Sequence, residues 1–185
     1  MKPVTDISKK TKLYQEVEPR LNDLLYSCVL VIDPSIGSSS SQPGWAVYNQ
    51  GKLDAAGTIN TGGSHLPLWK RARALADEIR SLCDDFGPTL LVYEDIPATS
   101  NFNANAQASL LKAVGIVLSA STTEDCLGIH PASWKNYVRP SYIKGDKEDA
   151  IEIGHVAVSL ARHIEATQRA ESTGSSVPRR GNKGR

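Results

Sequence analysis

Two short apolar runs, Val29 to Ile32 and Leu90 to Tyr93, each end in a carboxylate, Asp33 and Glu94. A run of this length, rich in Val, Ile and Leu and bounded by turn formers, reads as a buried strand, because it is too short for a helix and too apolar for a loop. Each acid then stands where a strand leaves the core, and a carboxylate there costs free energy unless something pairs with it. Beyond Asp33 the chain passes into Pro34, Ser35 and a serine-rich insert before Gly44. Asp33 is therefore a turn former, an ion-pair partner or a cation ligand.

The segments around these runs define an α/β chain. "GWAVY" and "KLDAAGTIN" read as two further strands joined at Gln50 and Gly51, which suit a tight hairpin, so three antiparallel strands come first. From Leu68 the apolar residues fall at helical intervals as far as Phe86, and Gly87-Pro88 stops the helix. The polar loop "IPATSNFNANAQ" leads to a helix from about Ala106 to Ser121, "CLGIH" makes a fifth strand, and a short helix begins at Pro131. The last helix runs from Asp146 to about Arg169. This order predicts a five-stranded mixed sheet flanked by helices. Residues 1–27 read as an N-terminal helical extension interrupted at Pro19, and residues 28–166 as the main domain. Residues 167–185, with five basic residues and one acidic, read as a disordered basic tail that contacts polyanions or confers solubility.

Charge excludes little, since 21 Lys and Arg balance 20 Asp and Glu for a net +1. Cys28, Cys83 and Cys126 are widely spaced in apolar surroundings, the pattern of buried free thiols in a reducing compartment. No run approaches the ~20 apolar residues of a membrane span, and the N-terminus shows no secretory apolar segment. A cytoplasmic, non-secreted protein without membrane contact is expected.

Two neighbouring strands ending in acids bring like charges together, and these repel unless a cation lies between them. Asp146 and Asp149 stand three apart on one face of the last helix, where acids either cap the helix start or serve as ligands. Glu152 extends that face and reads first as a solvated acid. Hydrolysis of a phosphodiester by two metal ions ~4 Å apart needs several such carboxylates, and two strand ends with a helix start can supply them.

At these residues the chain resembles the RuvC-type Holliday-junction resolvases of the RNase H-like superfamily. "VIDPSIGSSSSQPGWAVYNQGKLDAAGTI" is similar to the family's first motif, "LLVYED" to its apolar run with Glu, and "DKEDAIEIG" to its closing acidic helix. The likeness spans about residues 28 to 162, and it implies that 28–166 is an RNase H-like nuclease domain of a viral, phage or otherwise divergent member, acting in the host cytoplasm if viral. It implies that Asp33, Glu94, Asp146 and Asp149 are catalytic metal-binding acids for Mg²⁺, with Mn²⁺ as a substitute. It also implies a homodimer, a four-way DNA junction as partner, and a role in recombination and repair.

Phe102, in the polar loop, either stacks on unpaired bases or lies on the surface. Lys112, Lys135, Lys144 and Lys147 are candidate phosphate contacts, Lys135 matching the family best. His155 reads as structural. Two rival readings share the fold: a nuclease for an RNA–DNA hybrid, transposon end or packaged DNA, and a junction-binding module with a decayed site.

Overall fold

The computed structural model describes residues 4–35, 42–96, 104–139 and 141–173. Its centre is a five-stranded sheet in the order β3-β2-β1-β4-β5, built from β1 (Cys28–Asp33), β2 (Gly44–Asn49), β3 (Lys52–Thr58), β4 (Leu90–Glu94) and β5 (Asp125–Ile129). β1, β2 and β3 are antiparallel, and β4 and β5 run parallel to β1. The first three form the hairpin arrangement expected from sequence. Gln50 and Gly51 both take positive φ, 50° and 67°, the conformation that a two-residue hairpin turn demands.

Among the described residues the helices are α1 (Lys12–Val17), α2 (Leu21–Tyr26), α3 (Leu68–Phe86), α4 (Ala104–Ala120), α5 (Pro131–Trp134) and α6 (Asp146–Thr173). α3 ends where predicted, with Gly87 in the left-handed conformation and its N–H on the Cys83 carbonyl at 2.9 Å. Pro19 divides α1 from α2 through a 3-10 turn over Glu18–Arg20. α6 runs to Thr173, so residues 167–173, assigned from sequence to the basic tail, continue the helix; Ser172 and Thr173 hydroxyls bond back to the Arg169 carbonyl. Residues 174–185 of that tail lie outside the described residues.

Side chains alternate across the strands and separate two cores. Val29, Val31, Leu90, Val92, Leu127 and Ile129 point toward α6, α1 and α2. Leu30, Ile32 and Leu91 point toward α3 and α4. The N-terminal segment shares the first core through Leu13, Tyr14, Val17, Leu24 and Leu25. Cys83 is buried and Cys28 half-buried, but Cys126 is exposed, contrary to the sequence expectation, because β5 is an edge strand. Among the described residues no helix is long and apolar enough to cross a membrane.

Candidate active site

The strand alternation decides where the acids point. Asp33 continues the Val29, Val31 series and Glu94 the Leu90, Val92 series, so both side chains face α6. The parallel register pairs Ile32 with Tyr93, which sets Asp33 beside Glu94 at the same sheet edge.

α6 reaches this edge because two glycines remove the side chains that would hold it away. Gly44, paired with Asp33 across β1 and β2, lies so close to the start of α6 that a Cβ there would sit 1.7 Å from the Asp146 carbonyl oxygen. About two turns further in, a Cβ on Gly154 would meet the Tyr48 ring at 2.3 Å. Tyr48 donates to the Ile151 carbonyl at 2.6 Å and fixes the helix to β2. The result carries Asp149 over the two strand ends. Asp33, Glu94 and Asp149 are 8%, 9% and 8% exposed.

Such a set is under electrostatic stress. Burial, followed by the nearby charge of Glu94, a hydrogen bond shared with it and the charge of Asp149, pushes the Asp33 carboxyl up to about 9. Burial also raises Asp149, against the hydrogen bonds it accepts from the Tyr142 hydroxyl and the Gly145 N–H. Glu94 Oε1 accepts from the Trp134 indole N–H at 3.1 Å and faces Lys135 Nζ at 3.1 Å. Lys135 also lies 5.0 Å over the Trp134 ring.

Of the four acids singled out in the sequence, three converge and the fourth stands beside them. Asp146 is the first residue of α6, and its Oδ2 accepts from the Gln42 N–H at 2.8 Å. Among the described residues no group of three or more Asp, Glu, His or Cys is arranged as a ready set of metal ligands. Lys135 joins the site. Lys144 and Lys147 flank the start of α6, Lys147 pairing with Glu148 at 3.3 Å. Lys112 lies on the exposed face of α4, on the other side of the sheet from α6. Phe102 lies outside the described residues.

Glu152 departs from its reading as a solvated acid. It is 1% exposed, and Arg139 binds it through Nε at 2.6 Å and through its backbone N–H at 3.1 Å. The cause is its place on the inner face of α6, one turn beyond Asp149, beneath the segment that follows α5. Trp134, Tyr142 and Arg139 were not picked out from sequence. One signal for Trp134 existed, since a buried indole N–H requires an acceptor.

No protein-family model matches the chain, and no curated protein matches it in sequence. Among solved structures it is similar to T. thermophilus RuvC in complex with Holliday junction substrate, at 15% identity and a TM-score of 0.57, covering 78% of this chain and 97% of that one. It is also similar to the yeast mitochondrial Holliday junction resolvase Ydc2, at 12% identity and a TM-score of 0.57, covering 92% and 95%. These identities make the likeness one of architecture. The chain has the RNase H-like fold of the RuvC-type resolvases.

Proposed function

We propose that the protein is a structure-specific endonuclease that nicks four-way DNA junctions, acting in recombination or repair. The observation that carries this reading is the meeting of Asp33, Glu94 and Asp149 at one sheet edge of a resolvase fold. The donor set suits a hard divalent cation such as Mg²⁺, or Mn²⁺ in its place, because it consists of carboxylate oxygens alone. It also carries charge that protein groups leave uncompensated, as the raised Asp33 records. Asp33, Glu94 and Asp149, with Asp146 beside them, would hold the metal. When bound, the metal supplies a Lewis acid that makes water nucleophilic and stabilises the leaving oxygen.

The chain's own residues do the rest. Asp33 would release its proton to solvent as the cation takes up the negative charge. Lys135 turns from Glu94 toward the scissile phosphate, and Lys144 and Lys147 bind flanking phosphates. Phe102 stacks on an unpaired base at the junction centre.

Two symmetry-related nicks need two sites, so the working unit is a homodimer. Its contact is the outer face of α3 and α4. α4 carries one charge, Lys112, in 17 residues and leaves Leu111 and Leu118 exposed, and Trp69 of α3, 62% exposed, lines a groove with Gly115 and Ile116 of α4. Exposed apolar side chains on one face favour association. Light scattering is expected to give a dimer that Leu111→Glu converts to monomer, and a monomeric wild type would refute this contact.

The decisive experiment is Mg²⁺-dependent cleavage of a synthetic four-way junction beside a matched duplex and an RNA–DNA hybrid. Paired symmetric nicks in the junction alone support the proposal. Cleavage of the hybrid alone moves the protein to another substrate class, and tight junction binding without any cleavage marks a decayed site.

A further inference from the structure

Two aromatic residues outside the acidic set each hold one of its members. Trp134 is fully buried and spends its single N–H on Glu94 Oε1 at 3.1 Å. Tyr142 donates its hydroxyl to Asp149 Oδ1. The two rings pack edge to face, with centroids 6.3 Å apart and planes at 89°. One contact between rings thus links a carboxylate on β4 to a carboxylate on α6. The Tyr142 end is itself anchored, since its N–H bonds the Arg139 carbonyl at 3.0 Å and Arg139 is pinned to buried Glu152.

We propose that Trp134 and Tyr142 form an aromatic bracket that fixes the separation and orientation of the Glu94 and Asp149 carboxylates, making both aromatics positioning residues for metal binding. The inference rests on the reading of the acids as metal ligands. Mutually repelling carboxylates drift apart unless held, and an apolar wall could not hold them because it gives the anions no donor. Each aromatic supplies one donor and one rigid ring. A carboxylate has lone pairs on two oxygens, so an oxygen that accepts from the bracket leaves its partner for a cation.

The test measures Mn²⁺ binding without DNA, by electron paramagnetic resonance, on wild type, Tyr142→Phe, Trp134→Phe and the double variant. Tyr142→Phe keeps the ring and loses only the hydroxyl. Each single change is expected to weaken Mn²⁺ binding about tenfold, the scale of outer hydrogen bonds to ligating carboxylates. The double variant is expected to fall short of the product of the two, because both act through one ring contact. Junction affinity in EDTA is expected to stay within about twofold, since phosphate contacts dominate it.

Unchanged or tighter Mn²⁺ binding by Tyr142→Phe overturns the bracket, even if the melting temperature falls, and leaves the proposed function intact. Should Trp134→Phe fail to fold, Tyr142→Phe decides alone. A folded wild type that binds no Mn²⁺ and does not nick junctions overturns the proposed function instead.

Discussion

On one face of the sheet, α6 meets strand backbone and a tyrosine ring through Gly44 and Gly154, and donors from Trp134, Lys135 and Tyr142 satisfy buried acids. On the other face, α3 and α4 rest on Leu30, Ile32, Val47 and Leu91, and leave Trp69, Leu111 and Leu118 outside. Both faces are apolar in their centres, but the closest approaches of a helix to the sheet, 1.7 Å from a Cβ on Gly44 and 2.3 Å from one on Gly154, belong to α6. The proposed chemistry depends on distance and lies on the α6 face, and the proposed dimer contact lies on the face with exposed apolar side chains.

The largest effect expected from breaking this contrast comes at Glu94. Glu94→Gln removes one charge while keeping an acceptor for Trp134, and is expected to abolish junction nicking while junction binding in EDTA stays within about a few-fold. Asp149→Asn separates ligand from helix cap. As a ligand change it is expected to abolish Mg²⁺-dependent nicking while leaving the melting temperature in EDTA unchanged or higher, because repulsion with Glu94 is relieved. A capping role alone gives near-normal nicking and costs at most ~1 kcal/mol.

Glycine substitutions compare the faces directly. Gly154→Ala drives a methyl into the buried Tyr48 ring and is expected to cost about 1–3 kcal/mol in chemical denaturation. Gly115→Ala, in the middle of α4, meets nothing within 4 Å and is expected to stabilise the monomer by about 0.5–1 kcal/mol. Equal responses would mean that the faces do not differ in tightness.

The metal-free protein is also expected to show a pH dependence. Asp33 is raised in the folded state to about 9, so the folded protein holds a proton that the unfolded chain releases at the ordinary carboxyl range. Its stabilising contribution is full below that range and is lost as pH rises toward about 9. Melting in EDTA is therefore expected to move to lower temperature between about pH 5 and pH 9, and Asp33→Asn to flatten that slope.

What the sequence disclosed follows from the range of the forces involved. Buried strands, the stop at Gly87 and the turn at Gln50-Gly51 depend on local pattern and backbone geometry, and all could be read directly. Asp33 and Glu94 were visible because a strand-end acid breaks an apolar run. Glu152 was not, because its burial depends on Arg139 folding back 13 residues to meet it. Tyr142 and Trp134 follow the same logic, since nothing in either neighbourhood announces the acid that each meets. Lys112 failed to join the site for the converse reason: its helix packs on the opposite face, and spacing alone does not say which face a crossover helix takes.

The pinning of Gly44 gives the molecule latitude as well as rigidity. Gln42 is tied to Asp146, and the Pro43 carbonyl accepts from Ile59 at 2.8 Å, so the connection from Asp33 re-enters the sheet at a fixed point. Its length is mechanically decoupled from the acids on either side. The segment between Asp33 and Gly44 can therefore change in length or composition while the carboxylates keep their places.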